Sequence, residues 1–132
     1  MQKMNKNIVL DASAILALLQ REKGSEILCP LLTTAIASTV NITEVLSILT
    51  RNKINSDEAI SLLSEMIPKI LTFDMQHAKI ASDLYLTTQN KGLSLGDRAC
   101  IALGIYLSIP IYTADKIWAE LNLPNVEIIL IR

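Results

Sequence analysis

The sequence predicts an α/β fold in which helices pack against a central parallel sheet. Short apolar runs alternate along the chain with longer segments of helical character, which is the pattern of strand–helix–strand units. Hydrophobic residues make up 51% of the 132 residues and aromatic residues only 4%, so we expect an aliphatic core. Buried parallel strands have such unbroken apolar sequences. The predicted strands are residues 7–10, 35–38, 69–72, 110–113 and 126–131.

The first two predicted helices lie near the start of the chain, after the first predicted strand. Residues 7–10 (NIVL) predict a strand that ends at Asp11, and residues 12–20 are helix-favouring and mostly apolar, which predicts a buried helix. A second helix begins near Ser25. Pro30 ends or bends that helix, because proline lacks the backbone N–H that a continuing helix needs.

The middle of the chain contains two further predicted helices. Residues 39–51 form the helix after the second strand, and Ser56 is the predicted cap of a helix that runs to about Met66. Asp57 and Glu58 lie in the first turn of this helix, where negative charge suits the helix dipole.

Three helices complete the pattern. Residues 74–89 predict a helix that is followed by a loop at Gly92, residues 94–107 a very apolar helix, and residues 115–121 a short one. No repeat, linker or low-complexity segment divides the chain, so we expect a single domain over residues 1–132.

Charge and hydropathy exclude several classes of protein. The net charge is −1, which argues against a large basic face for nucleic acid. A long uncharged and apolar stretch, residues 99–114, is shorter than the roughly 20 residues of a membrane span, and Pro110 interrupts it. Asp11 disrupts the only signal-like apolar run, so we expect a cytoplasmic protein. Cys29 and Cys100 are predicted to be buried, reduced thiols.

Four acidic residues are the strongest functional signal. Asp11 and Asp115 lie at or just past the ends of predicted strands, Glu44 follows the second strand by about one helical turn, and Asp97 begins the helix that leads into the fourth strand. Ligands of open parallel sheets bind beyond the carboxyl ends of the strands. We therefore expect the four carboxylates to face one crevice.

Each acid also has a simpler interpretation as a helix cap, and that alternative stays open for Asp11, Asp97 and Asp115. Glu44 fits it least, because Val40 and Ile48 flank it on an otherwise apolar helical stripe. Four carboxylates within about 5 Å would repel by roughly 3 kcal/mol per pair at an effective dielectric constant near 20. A divalent cation would offset that repulsion, and carboxylate oxygens are ligands that Mg²⁺ and Mn²⁺ prefer.

Other polar residues near these acids carry weaker signals. Ser13 and Thr113 would either orient a metal-bound water or bond to the backbone at a helix start. Arg98 and Lys116 directly follow proposed ligands and would contact phosphate or pair with nearby acids. His77 is the only histidine and is predicted to lie on the surface. With one histidine, neither a catalytic triad nor a zinc site is expected.

Four segments, correctly ordered, resemble the PIN domain and, more narrowly, the VapC toxins of bacterial toxin–antitoxin pairs. The resemblance extends from Ile8 to the closing strand. The LSLGDRAC and TADK sequences are its most specific parts. The segments are residues 8–19 (IVLDASAILALL), 38–49 (STVNITEVLSIL), 93–104 (LSLGDRACIALG) and 112–118 (YTADKIW).

The resemblance implies a parallel sheet of about five strands sandwiched by helices, and a Mg²⁺- or Mn²⁺-dependent endoribonuclease. It also implies a homodimer that a small VapB-type antitoxin silences by blocking the acidic pocket. Trp118 and Ala119 stand where some relatives place a fifth acid, which leaves the number of metal ions open. The residues that match the acidic quartet and its hydroxyls are Asp11, Glu44, Asp97, Asp115, Thr113 and Ser13.

Two other classes of function compete with a nuclease. A receiver domain would need a second acid beside Asp11 and a well-placed aspartate after the third strand. No acid is adjacent to Asp11, and no aspartate after the third strand is well placed for this role. A PIN-fold module that binds RNA or protein without catalysis is the second alternative. Retention of all four acids argues against it, and metal-dependent cleavage of RNA would separate the two.

Overall fold

A computed structural model of the chain describes residues 6–132. Its centre is a five-stranded sheet with the order β3-β2-β1-β4-β5, in which every neighbouring pair is parallel. The predicted fold class is confirmed. The strands are β1 (Ile8–Leu10), β2 (Ala35–Ser38), β3 (Lys69–Leu71), β4 (Ile111–Thr113) and β5 (Ile128–Leu130).

Helices cover the sheet, and their bounds agree with the predicted segments to within one or two residues. The segment predicted as a short final helix is a 3₁₀ helix, Lys116–Glu120, and two more 3₁₀ helices span Cys29–Thr34 and Gln89–Lys91. The α-helices are α1 (Ala12–Gln20), α2 (Ser25–Leu28), α3 (Thr39–Arg51), α4 (Ser56–Met66), α5 (Met75–Thr88) and α6 (Leu95–Leu107).

Two apolar layers lie on opposite faces of the sheet, because successive side chains of a strand point to opposite faces. Ile8 and Leu10 of β1 belong to the layer formed with α1, α3 and α4. Val9 belongs to the layer formed with α5 and α6, which also contains the buried Trp118. The central strand is thus covered on both sides, as its uninterrupted apolar sequence predicts.

The order of the strands determines where a site can form. From β1 the chain proceeds outward through β2 to β3 and then returns to place β4 on the other side of β1. The carboxyl ends of β1 and β4 therefore border the switch point of the sheet, where open α/β sheets bind ligands. Asp11 follows β1 and Ala114 follows β4, so both chain segments enter this crevice.

The predicted cap of α4 is wrong by one residue. Asn55, not Ser56, is the N-cap, and its Oδ1 accepts hydrogen bonds from the N–H groups of Asp57 at 2.9 Å and Glu58 at 3.1 Å. Asparagine satisfies two of the free N–H groups at the helix start.

Two predictions of exposure are also wrong. His77 is buried, 3% exposed, and its ring packs against Phe73 and Tyr106. Cys29 is exposed, whereas Cys100 is buried as predicted. Cys29 begins a 3₁₀ helix in which no residue is buried, so its apolar neighbours in sequence do not enclose it. None of the helices within residues 6–132 is both long enough and apolar enough to span a bilayer.

Candidate active site

Asp11 lies at the switch point of the sheet, directly after the central strand β1. It follows β1, is the N-cap of α1 and accepts a hydrogen bond from the Ala14 N–H at 2.8 Å. The side chain is only 4% exposed. Asp11 therefore caps α1 and also lies at the end of a central strand. The capping role does not exclude a role in a binding site.

Two hydroxyl groups hold the other lone pairs of the Asp11 carboxylate. Ser13 Oγ lies 2.7 and 2.9 Å from the two oxygens, and Thr113 Oγ1 lies 2.6 Å from Oδ2. Each hydroxyl also accepts a backbone N–H, from Ala114 at 2.9 Å and from Asp115 at 3.0 Å. Because an ionised carboxylate can only accept hydrogen bonds, the hydroxyl hydrogens are directed to Asp11. The two residues thus tie the end of β1 to the end of β4.

The environment of Asp11 disfavours its negative charge. Burial raises the pKa of Asp11 to about 6, although the hydrogen bonds from Thr113, Ala14 and Ser13 oppose the shift, and the charge on Asp97 raises it further. A buried carboxylate normally has a cationic partner. Asp11 forms no salt bridge within residues 6–132, so its surroundings favour a bound cation or a proton.

Glu44 reaches the same region from α3. Ser38, the last residue of β2, caps α3 through a hydrogen bond from the Val40 N–H at 3.1 Å, which fixes the helix on the sheet. Glu44 is half-buried, and burial raises its pKa, as does the charge on Asp97, while the hydrogen bond from Asn41 lowers it. The apolar stripe of α3 therefore carries its one acid to a position where the charge of Asp97 acts on it.

Asp97 caps its own helix and still faces the other acids. It forms a capping box with Ser94, in which the Ser94 N–H donates to Asp97 Oδ2 at 3.0 Å and the Asp97 N–H to Ser94 Oγ at 3.1 Å. Cys100 lies one turn further along α6. Burial raises the pKa of the Cys100 thiol well above its usual range, and the charges on Asp11, Asp97 and Glu44 add to this. The charges of these three acids therefore all act on one buried group.

Asp115 stands apart from these three. Its carboxylate accepts the Ile117 N–H at 3.1 Å and caps the 3₁₀ helix that follows β4. Within residues 6–132, the charges that raise the pKa values of Asp11 and Glu44 include Asp97 but not Asp115. Only the backbone of Asp115 is connected to the cluster, through its N–H bond to Thr113.

The donor chemistry of this cluster suits a hard divalent cation. Within the described residues, no three carboxylate, imidazole or thiol groups are close enough in this conformation to ligate one ion directly. Mg²⁺ commonly keeps several waters and binds through one or two carboxylates. The residues present fit such a partly hydrated ion, because Asp11, Glu44 and Asp97 provide negative charge around a buried carboxylate whose pKa is raised.

The two basic residues that follow proposed ligands differ in their contacts. The Arg98 guanidinium donates to the Ala81 carbonyl at 3.2 Å and lies 5.3 Å from the centre of the Tyr85 ring. Arg98 therefore contacts α5 and not an acid. Lys116 is exposed beside Asp115 and forms no salt bridge within the part of the chain described.

Sequence reasoning missed two residues that support Glu44. Asn41 donates to the Glu44 carboxylate, and Gly96 leaves space for it. Asn41 could have been found as a polar residue three positions before Glu44, since residues at that spacing share a helical face. No sequence signal indicates the contact of Gly96, because it joins positions 44 and 96 on two different helices.

Comparison with known proteins identifies the fold. A protein-family model described as the PIN domain matches residues 8–123, and the chain belongs to the PIN domain family. The predicted resemblance is thereby confirmed. A search of curated proteins finds no match.

Solved structures of toxin–antitoxin systems share this fold. DNA-bound VapBC from Salmonella typhimurium aligns with a TM-score of 0.72 at 13% identity, over 97% of this chain and 100% of that chain. VapBC-5 from Mycobacterium tuberculosis aligns at 0.69 and 21% identity, over 96% and 99%. VapC20 from the same organism, a sarcin–ricin loop cleaving toxin, aligns at 0.71 and 16% identity, over 92% and 99%.

Proposed function

We propose that the chain is a metal-dependent endoribonuclease and the toxin of a VapBC-type toxin–antitoxin pair. The observation that carries the proposal is the convergence of Asp11, Glu44 and Asp97, which come from three separate segments and whose charges act together on Cys100. Three anions around one buried point are hard to reconcile with a purely structural role. Membership of a family of nucleases supports the same reaction class.

Each acid of the candidate site would have a distinct role around the proposed cation. Asp11 is the most constrained ligand, because Ser13 and Thr113 hold both of its oxygens. Asp97 and Glu44 complete the charge around the cation, and Asp115 is a ligand that acts through water or after its side chain rotates. When bound, Mg²⁺ or Mn²⁺ supplies the positive charge that activates water and stabilises the phosphate in the transition state.

The partners of the reaction are also proposals. VapC20 is described as cleaving the sarcin–ricin loop, and this supports RNA as the substrate class here. Neighbours that are VapBC complexes support a VapB-type antitoxin as a protein partner. A homodimer and a cytoplasmic location are consistent with this role.

The decisive experiment is cleavage of a mixed RNA pool by the purified chain. We expect cleavage with Mn²⁺ or Mg²⁺, none in EDTA, and none from Asp97→Asn, whose circular dichroism should match the wild type. The matched control is Asp83→Asn on α5, an exposed aspartate whose one ion pair within residues 6–132 is with Lys79, and it should cleave normally. Full activity of Asp97→Asn would disprove the role of Asp97.

The same assay tests the binding-module alternative. Wild-type protein that retains RNA on a filter in Mn²⁺ but leaves it intact would favour a non-catalytic module over the nuclease. Cleavage that survives EDTA would exclude the metal-dependent mechanism.

A further inference from the structure

We infer that Asn41 is a positioning residue that holds Glu44 in its place for the cation. The inference rests on the proposed function and extends it to a residue that is not itself a metal ligand. Asn41 lies on α3, one turn before Glu44, and is only 1% exposed.

The contacts of Asn41 determine the orientation of its amide. Its Nδ2 donates to Glu44 Oε1 at 2.8 Å and to the Gly96 carbonyl at 3.1 Å. Both partners are acceptors, so only the NH₂ group can face them. One side chain therefore joins the Glu44 carboxylate to the backbone of α6, immediately before Asp97.

Gly96 confines the same carboxylate from the other side. A Cβ at Gly96 would collide with the Glu44 carboxyl group and would lie 2.6 Å from its Oε1. Glu44 thus occupies space that any other residue at position 96 would fill. The Asn41 amide and the bare backbone of Gly96 together hold Glu44 against the start of α6, near Asp97.

The amide oxygen of Asn41 indicates that a contribution to stability alone does not explain why asparagine occupies this position. Its Oδ1 is buried and has no hydrogen-bond partner within residues 6–132. Burial of an unpaired polar atom disfavours folding. A position that served packing alone would favour an apolar side chain, so the two donated hydrogen bonds are the feature that accounts for asparagine.

The test measures Mn²⁺ affinity by isothermal titration calorimetry and RNA cleavage, using the full chain. The variants are Asn41→Ala, the near-isosteric Asn41→Leu, Glu44→Gln, and Asn41→Leu combined with Glu44→Gln. Loss of a residue that orients a ligand typically weakens metal affinity by about 10- to 100-fold. We expect a loss of that size in both Asn41 variants, a fall in kcat with little change in KM, and no further loss in the double variant.

The control is Ser47→Ala on the same helix, whose hydroxyl bonds to the Thr43 carbonyl at the exposed surface. It should bind Mn²⁺ as the wild type does. Unchanged affinity in folded Asn41 variants would overturn the inference and leave the nuclease proposal intact. The inference is equally wrong if the losses add in the double variant, or if both Asn41 variants unfold. Failure of the wild type to bind Mn²⁺ would overturn both proposals.

Discussion

At the scale of single residues, the surroundings of Asp11 have two opposing effects on its ionised carboxylate. Its hydrogen bonds from Ala14, Ser13 and Thr113 stabilise the ionised carboxylate, whereas burial and the neighbouring charge of Asp97 destabilise it. The effect of burial is the larger one, since the pKa of Asp11 is raised and not lowered. The hydrogen bonds therefore fix the orientation of the Asp11 carboxylate. Its negative charge is poorly stabilised without a bound cation.

The raised pKa predicts how the metal-free protein responds to pH. The folded protein releases the Asp11 proton near pH 6 and the unfolded chain near the ordinary value of 3.8. Between these values the folded state binds more protons, so the Asp11 contribution to stability falls as pH rises. Between pH 4.5 and pH 7.5 this loss of stability amounts to about 2 kcal/mol, because the unfolded carboxyl is already largely ionised at pH 4.5. Urea unfolding in EDTA, at pH 4.5 and pH 7.5, measures it.

Asp11→Asn is the comparison for this experiment, because it removes the buried carboxyl of Asp11 and leaves the other carboxylates in place. The stability of the variant relative to the wild type should increase from pH 4.5 to pH 7.5. A constant difference over this range would mean that the Asp11 carboxyl ionises at its ordinary pKa.

Gly96→Ala provides a second prediction for a single residue. The atoms that the new Cβ would meet are the far end of the Glu44 side chain, which can rotate away at little cost in stability. Alanine also favours helix over glycine. We expect a melting temperature close to that of the wild type and at least a 10-fold weaker affinity for Mn²⁺.

Gly104→Ala on the same helix should behave in the opposite way. A Cβ there would lie 2.5 Å from Ile111 Cγ1 and Cδ1 in the core, so the variant should lose about 1–3 kcal/mol of stability. Its folded fraction should bind Mn²⁺ normally. Equal loss of Mn²⁺ affinity in both variants would show that position 96 has no specific effect on Glu44.

At the scale of elements, α6 connects the candidate site to the second layer of the fold. Its first turn carries Gly96 and Asp97, its middle is buried around Cys100, and Arg98 extends from it to α5. The guanidinium contacts both the Ala81 carbonyl and the face of the Tyr85 ring. Arg98 thus holds two helices together beside the acids.

This role predicts the behaviour of Arg98→Met. Loss of the hydrogen bond and the cation–π contact should lower the free energy of unfolding by about 1–2 kcal/mol, with Mn²⁺ affinity unchanged. Lys79→Met on α5, whose partner Asp83 is exposed, should change stability little. If Arg98→Met instead retains its stability but raises KM for RNA, then the residue contacts substrate phosphate.

The sequence was informative where local patterning determines structure. The run NIVL and the apolar helix that contains Cys100 were predicted correctly, because buried strands and helices have continuous apolar sequences. The cap at Asn55 was missed because Ser56 is also a good capping residue. His77 was assigned to the surface because burial of a polar ring depends on distant partners such as Tyr106.

The candidate site was predictable to the extent that its acids follow strands or begin helices. Strand order and the crevice at the switch point bring Asp11, Glu44 and Asp97 together. The pairing of Asn41 with the Gly96 carbonyl joins positions 55 residues apart, and a single sequence carries no periodic signal for such a contact. The side chain of Asp115 caps the 3₁₀ helix that follows it, which is the capping alternative that the sequence leaves open.

At the scale of the whole molecule, the proposed metal site would couple metal binding to stability. Asp11 follows β1, Glu44 lies on the helix after β2 and Asp97 lies in the first turn of α6, so these acids come together only in the folded chain. Unfolding separates them and would release the proposed cation. A ligand that binds only the folded state stabilises it by about 2.7 kcal/mol at a free concentration of 100 times Kd.

We therefore expect saturating Mn²⁺ to raise the melting temperature, by roughly 10 °C for a domain of this size. The rise follows from both mass action and the removal of repulsion around Asp11. Differential scanning fluorimetry measures it, with EDTA as the reference. Asp83→Asn should show the full rise and Asp97→Asn a much smaller one. An equal rise in the two variants would mean that the cation binds elsewhere on the molecule, because only one of these aspartates acts on Asp11 and Glu44.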